Sequence, residues 1–123
     1  PDKIISIHAP LGFLDYDGPG DRKPKNLSRQ EREAKNLAQT MAKKSKNYRL
    51  VDYSFYPGSL GNFAGAERRI PTITLELETT NPKLVNKYWD QFFPALVHSV
   101  EYPYKNKDEA LKNKPIFSKL LTE

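Results

Sequence analysis

Apolar and polar positions along the chain predict strands that alternate with long amphipathic helices. Residues Lys3 to His8, "KIISIH", form a short isoleucine-rich run typical of a buried strand. Residues Pro71 to Glu78, "PTITLELE", alternate with a period of two. The isoleucine and leucines of that stretch fall on one side, and its threonines and glutamates fall on the other. We therefore predict a second strand over 71–78.

Apolar residues at helical spacing predict two long helices. Ser28 and Glu31 have the S-x-x-E spacing of a capping box, which predicts a helix from about Arg29 to about Lys46. Asn81 can cap a second helix, and Pro82 suits its first position. This second helix has a wide apolar face made of Leu84, Val85, Tyr88, Trp89, Phe92, Phe93, Leu96 and Val97.

Glycine and proline divide the rest of the chain. The stretches 9–26 and 56–69 are rich in these residues and are predicted to be loops. The stretch 48–55, "YRLVDYSF", has strand propensity, and a further short helix is expected near Asp108 to Asn113. Strands that alternate with long helices predict an α/β fold, in which the two helices would cover two faces of one sheet.

Composition narrows the function classes. The chain has 123 residues, which corresponds to one domain or part of one, and it has no cysteine, which excludes disulfides, thiolate metal sites and a cysteine nucleophile. The net charge of +5 favours acidic partners, but the lysines are scattered and no nucleic-acid-binding motif accompanies them. No apolar run approaches the length of a membrane span. We therefore expect neither nucleic-acid binding nor a transmembrane segment.

Three features carry candidate chemistry. His8 ends an apolar strand and precedes a Pro/Gly loop, the position where α/β sheets place ligands, although a hydrogen-bonded structural histidine fits equally well. Glu76 lies on the polar side of its strand, and alternation alone favours a solvent-exposed residue over a catalytic one. Tyr53 and Tyr56 precede three glycines, so they belong either to a loop that moves over a ligand or to an ordinary turn.

In order, "SIHAP", "YPGSLGNFAG" and "PTITLELE" resemble the second half of a zinc carboxypeptidase of the carboxypeptidase A-like family. The likeness covers roughly residues 3–100 and is greatest to the bacterial murein peptide amidase branch. It implies a mixed sheet flanked by helices and a cis peptide at Ala9–Pro10. It also implies that residues 1–123 form the C-terminal portion of a catalytic domain, whose N-terminal part carries the H-x-x-E motif with the first two zinc ligands.

The resemblance also implies roles for individual residues. His8 resembles the third ligand of Zn²⁺, and Glu76 resembles the catalytic glutamate that takes a proton from the zinc-activated water. Tyr53 or Tyr56 resembles the mobile tyrosine that covers the substrate. Leu60 falls near the position that lines the specificity pocket.

The expected function is hydrolysis of murein peptides at the γ-D-glutamyl-diaminopimelate bond, in the bacterial cytoplasm or periplasm, with this segment inactive alone. Asp15 or Asp17 could hold the ammonium group of diaminopimelate, although turn-forming aspartates are the simpler interpretation. One alternative is a carboxypeptidase that removes C-terminal residues from ordinary peptides. Another, from a different class, is a non-catalytic binding module for anionic polymers.

Overall fold

A computed structural model describes residues 1–16, 27–52 and 58–101 of the chain. Its strands are β1 (Ile4–His8), β2 (Phe13–Asp15), β3 (Leu50–Val51) and β4 (Thr72–Glu76), and its long helices are α1 (Arg29–Lys44) and α2 (Val85–Glu101). A π-helical segment covers Gly61–Glu67, and a 3₁₀ turn covers Pro82–Leu84. The predicted helix near 108–113 lies outside the described residues.

The four strands form one mixed sheet in the order β1-β4-β2-β3. β1 runs parallel to β4, so that Ile4 lies opposite Thr72 and His8 lies opposite Glu76. β2 is antiparallel to β4 and parallel to β3. The predicted α/β class is confirmed, with a sheet of mixed direction.

Both long helices pack on the same face of this sheet. Ile73 and Leu75 of β4 and Leu14 of β2 belong to one core cluster together with buried residues of α1 and α2. The two helices also contact each other. The expectation that they cover opposite faces is therefore wrong, because the apolar stripe of each helix meets the same isoleucine and leucine side of β4.

The capping box at the start of α1 is confirmed. The Ser28 hydroxyl accepts a hydrogen bond from the Glu31 amide (3.2 Å), and the Glu31 carboxylate accepts one from the Ser28 amide (2.6 Å). The helix ends at Lys44, two residues earlier than predicted. Its predicted apolar residues are buried, namely Ala34, Leu37, Ala38 and Met41.

The second helix is capped as predicted but buries less of its apolar face. The Asn81 side chain accepts a hydrogen bond from the Lys83 amide (3.0 Å), and the 3₁₀ turn leads into α2. Two of its large side chains, Tyr88 and Phe92, are buried, and three are exposed, namely Val85, Trp89 and Phe93. Ile7 on β1 is also exposed. None of the helices in the described ranges has the length and apolarity needed to cross a bilayer.

Two predicted loops contain regular structure. β2 lies within the stretch 9–26, and the segment Gly61–Glu67 within 56–69 is helical. β2 has only three residues and takes its place in the sheet through its neighbours, so its own sequence shows no periodicity. Gly12 precedes it with a φ of +70°, a conformation that glycine adopts without steric cost.

Candidate active site

The candidate site lies where the parallel strands β1 and β4 end. His8 and Glu76 are the last residues of these strands and lie directly opposite each other in the sheet. The distance from His8 Nδ1 to Glu76 Oε1 is 3.6 Å. The sheet therefore brings together the imidazole and the carboxylate that sequence analysis selected separately.

The Glu76 side chain is buried, not exposed to solvent as alternation alone suggested. The residue is 7% exposed. One carboxylate oxygen, Oε2, accepts a hydrogen bond from the Leu11 amide (3.4 Å), and the other faces His8. The Glu76 backbone carbonyl accepts a hydrogen bond from the Tyr48 hydroxyl (2.7 Å). These contacts hold the carboxylate in a defined orientation beneath the loop that follows β1.

The His8 ring is held between two polar groups. Ser6 Oγ lies 2.9 Å from Nε2, and Nδ1 faces the Glu76 carboxylate. The His8 side chain is 55% exposed, so the ring borders both solvent and the buried carboxylate. A neutral imidazole in this place can accept a proton or bind a metal through the nitrogen that Ser6 does not engage.

The same sheet face carries a second polar row. Alternation and register place Ser6, Thr74 and Asp15 beside the row that contains His8 and Glu76. Asp15 lies in β2 and is 6% exposed, so it is not the turn-forming aspartate that the simpler interpretation assumed. Asp17, the other candidate for holding an ammonium group, lies outside the described residues.

The proposed substrate-binding residues are only partly covered by the structure. Tyr53 and Tyr56 lie outside the described ranges. Leu60 is 46% exposed at the start of the helical segment Gly61–Glu67, which packs against β4. The polar contacts described above connect Ser6, His8, Glu76 and Leu11, and Leu60 takes part in none of them.

One H-x-x-E spacing occurs in this chain and was missed by the sequence analysis. His98 and Glu101 have this spacing near the end of α2. The Lys3 ammonium donates a hydrogen bond to the Val100 carbonyl (3.3 Å), which places the end of α2 beside the start of β1. His8 is five positions further along the extended chain, which places it about 16 Å from Lys3. This pair is therefore not the source of the missing ligands.

The donor set fits one part of a zinc site and not a whole one. His8 supplies one imidazole, and a catalytic zinc ion needs about three protein ligands. Within residues 1–16, 27–52 and 58–101, no group of three or more His, Cys, Asp or Glu side chains is arranged to hold a metal ion. A complete site would need ligands from outside these ranges.

The surroundings of the site also raise the pKa of a nearby tyrosine, Tyr48. Burial raises the pKa of Tyr48 to about 12, and the negative charge of Glu78 adds to the shift. Tyr48 is therefore a hydrogen-bond donor at neutral pH, consistent with its bond to the Glu76 carbonyl. The Ala9–Pro10 peptide, which directly follows His8, is cis, as the resemblance implies.

Comparison with known proteins leaves the family open. No protein family model matches the chain, and no curated protein is significantly similar to it in sequence.

Proposed function

We propose that this chain is the C-terminal portion of a zinc peptidase domain that hydrolyses murein peptides at the γ-D-glutamyl-diaminopimelate bond. Glu76 is the general base, and His8 is one of the zinc ligands. The observation that carries the proposal is the juxtaposition of His8 and Glu76 at the ends of parallel strands, with Nδ1 and Oε1 3.6 Å apart.

The residue types suit this chemistry. Bound zinc would polarise the scissile carbonyl and make its water acidic. The Glu76 carboxylate is oriented by the Leu11 amide and is shielded from bulk solvent, so it can take the proton of that water and deliver it to the leaving amine. The exposed side of the His8 ring leaves room for a substrate above the strand ends.

The remaining zinc ligands would come from the N-terminal part of the domain, which we propose as the partner of this segment. Two features of the surface support such a partner. Within the described chain, β1 has a strand neighbour on one side only, which leaves an edge with free hydrogen-bonding groups. A groove of about 250 Å³ lies beside it, lined largely by apolar residues that include Ile7, Val85 and Trp89.

The test uses Glu76→Gln and His8→Ala in the full-length protein. Removal of the general base by Glu76→Gln is expected to lower muropeptide hydrolysis by about 10²–10⁴-fold and leave the zinc content unchanged. His8→Ala is expected to lower the zinc content, measured by metal analysis. Unchanged hydrolysis in Glu76→Gln, or unchanged zinc in His8→Ala, would contradict the assignment.

The same variants separate the alternatives. A module that binds anionic polymers predicts that Glu76→Gln leaves affinity for the polymer nearly unchanged and that wild type shows no hydrolysis. A carboxypeptidase for ordinary peptides predicts cleavage of simple blocked dipeptides at least as fast as cleavage of muropeptides. Comparing initial rates on these two substrate classes decides between the enzyme interpretations.

A further inference from the structure

One side of α2 presents apolar side chains to solvent. Trp89, Phe93 and Val97 recur at intervals of four residues, which places them along one side of the helix. Trp89 and Phe93 are exposed, and Val97 is half-buried. The rings of Trp89 and Phe93 lie with their centroids 5.0 Å apart. We call these three residues the outer stripe. An exposed apolar surface of this kind is typical of a site that contacts another segment.

The chain after α2 is long enough to reach the outer stripe. α2 ends at Glu101, and residues 102–123, which lie outside the described residues, follow it. Trp89 is twelve positions before Glu101, about 18 Å along the helix axis. The stretch 102–115 can span up to about 45 Å when extended, so the residues that follow it can lie against any part of the stripe.

Residues 115–121, "PIFSKLL", have the pattern of a short amphipathic helix. Their large apolar residues are Ile116, Phe117, Leu120 and Leu121. This spacing places the four side chains on one side of a helix, and Pro115 suits its first position. A helix of this length is not stable alone in water, so it forms only when its apolar side packs against another surface.

Charge and tethering favour this segment over other occupants of the stripe. Asp90, directly after Trp89, is exposed, whereas residues 102–123 contain five lysines and three acidic residues, a net side-chain charge of +2. A segment joined to α2 by a short linker has an effective concentration in the mM range. It therefore outcompetes a second copy of the chain at μM concentration for the same surface.

We propose that residues 115–121 fold back as an amphipathic helix and pack on the outer stripe of α2. The apolar side of the segment covers Trp89 and Phe93. This inference goes beyond the proposed function and is independent of it, because it involves neither His8 nor Glu76.

Trp89 is the only tryptophan in the chain, so its fluorescence reports directly on the outer stripe. Removal of residues 102–123 from the 123-residue chain is expected to shift the emission maximum to longer wavelength and to increase quenching by acrylamide, because the ring becomes more accessible to water. Far-UV circular dichroism checks that the shortened chain is folded. Unchanged emission and quenching in a folded shortened chain would overturn the proposal.

Point variants make the same test without truncation. Phe117→Ser combined with Leu120→Ser removes apolar contacts of the segment and is expected to reproduce the changes in Trp89 emission and quenching. Lys112→Ser, which alters a polar position in the preceding linker, serves as the control and should leave both unchanged. If the double variant has the emission and quenching of wild type, the segment does not cover Trp89, whether or not the shortened chain folds.

Disulfide formation distinguishes the segment from other occupants, because the chain has no native cysteine. Phe93→Cys with Leu120→Cys is expected to form an intramolecular disulfide faster than Lys87→Cys with Leu120→Cys, since Lys87 lies on another side of α2. Non-reducing gels separate this product from a disulfide-linked dimer. Equal rates in the two variants would refute the packing, and a linked dimer as the main product would assign the stripe to a second copy.

Discussion

At the residue scale, Glu76 is held through its backbone as well as its carboxylate. The Tyr48 hydroxyl donates to the Glu76 carbonyl (2.7 Å), and the Tyr48 ring meets Phe92 edge to face with centroids 4.8 Å apart. One side chain thus links the end of β4 to α2. This link positions the candidate base relative to the core.

Replacement of Tyr48 by phenylalanine keeps the ring packing and removes the hydrogen bond. We expect the free energy of unfolding to fall by about 1 kcal/mol at neutral pH, the usual net value of such a bond. Chemical denaturation followed by circular dichroism measures this difference.

Burial of the Tyr48 hydroxyl also makes the free energy of unfolding depend on pH. The pKa of Tyr48 is raised to about 12 in the folded protein, against about 10 for an unfolded tyrosine. The stabilisation is therefore fully present below about pH 10 and is lost as the pH rises through about 12. The stability difference between wild type and Tyr48→Phe should narrow across that window. Burial also raises the pKa of Tyr16, but both proteins contain Tyr16, so its contribution cancels. If the stability difference between wild type and Tyr48→Phe stays constant to about pH 12, the raised pKa of Tyr48 is contradicted.

At the element scale, α1 is defined by different interactions at its two ends. Ser28 satisfies a free amide of the first turn, whereas Ser45, the residue after the last turn, is fully buried. Within the described chain, the Ser45 hydroxyl has no hydrogen-bond partner. The two serines therefore differ in what their hydroxyl groups contribute to stability.

Ser28→Ala and Ser45→Ala form a matched pair. Ser28→Ala is expected to lower the free energy of unfolding by about 1 kcal/mol, because it removes the cap. Ser45→Ala removes a hydroxyl that is buried without a partner, so it is expected to be neutral or stabilising. Urea denaturation of both variants measures the difference, and equal losses would show that the capping bond contributes nothing specific.

At the scale of the whole molecule, the described chain has a buried core on one side of β4 and an exposed apolar patch beside β1. Ile7 is 55% exposed although it lies in an isoleucine-rich strand. The groove beside it continues onto exposed Val85 and Trp89 of α2. Exposed apolar patches of this kind are typical of surfaces that contact another protein segment.

The proposed N-terminal part predicts that Ile7 is buried in the full-length protein. Ile7→Ser should then lower its free energy of unfolding by about 1–3 kcal/mol, the range expected for loss of a buried apolar side chain. Val100→Ser is the control, because Val100 is 78% exposed and does not line the groove. Its effect should stay within about 0.5 kcal/mol. A similarly small effect of Ile7→Ser would show that this edge remains exposed.

The sequence by itself determined the features that depend on neighbouring residues. The capping box, the Asn81 cap and the apolar side of β4 follow from spacings of two to four residues, so local patterns predict them. His8 is a candidate from its place at a strand end, whereas the candidate role of Glu76 comes from the family resemblance, because alternation alone favoured a solvent-exposed residue. Neither strand alone predicts that His8 and Glu76 are direct neighbours in the sheet.

Only the tertiary structure decided which of those elements meet. The Leu11 amide reaches the Glu76 carboxylate across 65 residues of sequence, and β2 enters the sheet between β4 and β3 without a pattern of its own. Both helices pack on the same face of the sheet, because their apolar residues contact the same apolar side of β4. The register between β1 and β4 places the His8 imidazole beside the Glu76 carboxylate on the opposite, polar side of the sheet. Such a register depends on pairing between segments that are distant in sequence, so neither strand predicts it alone.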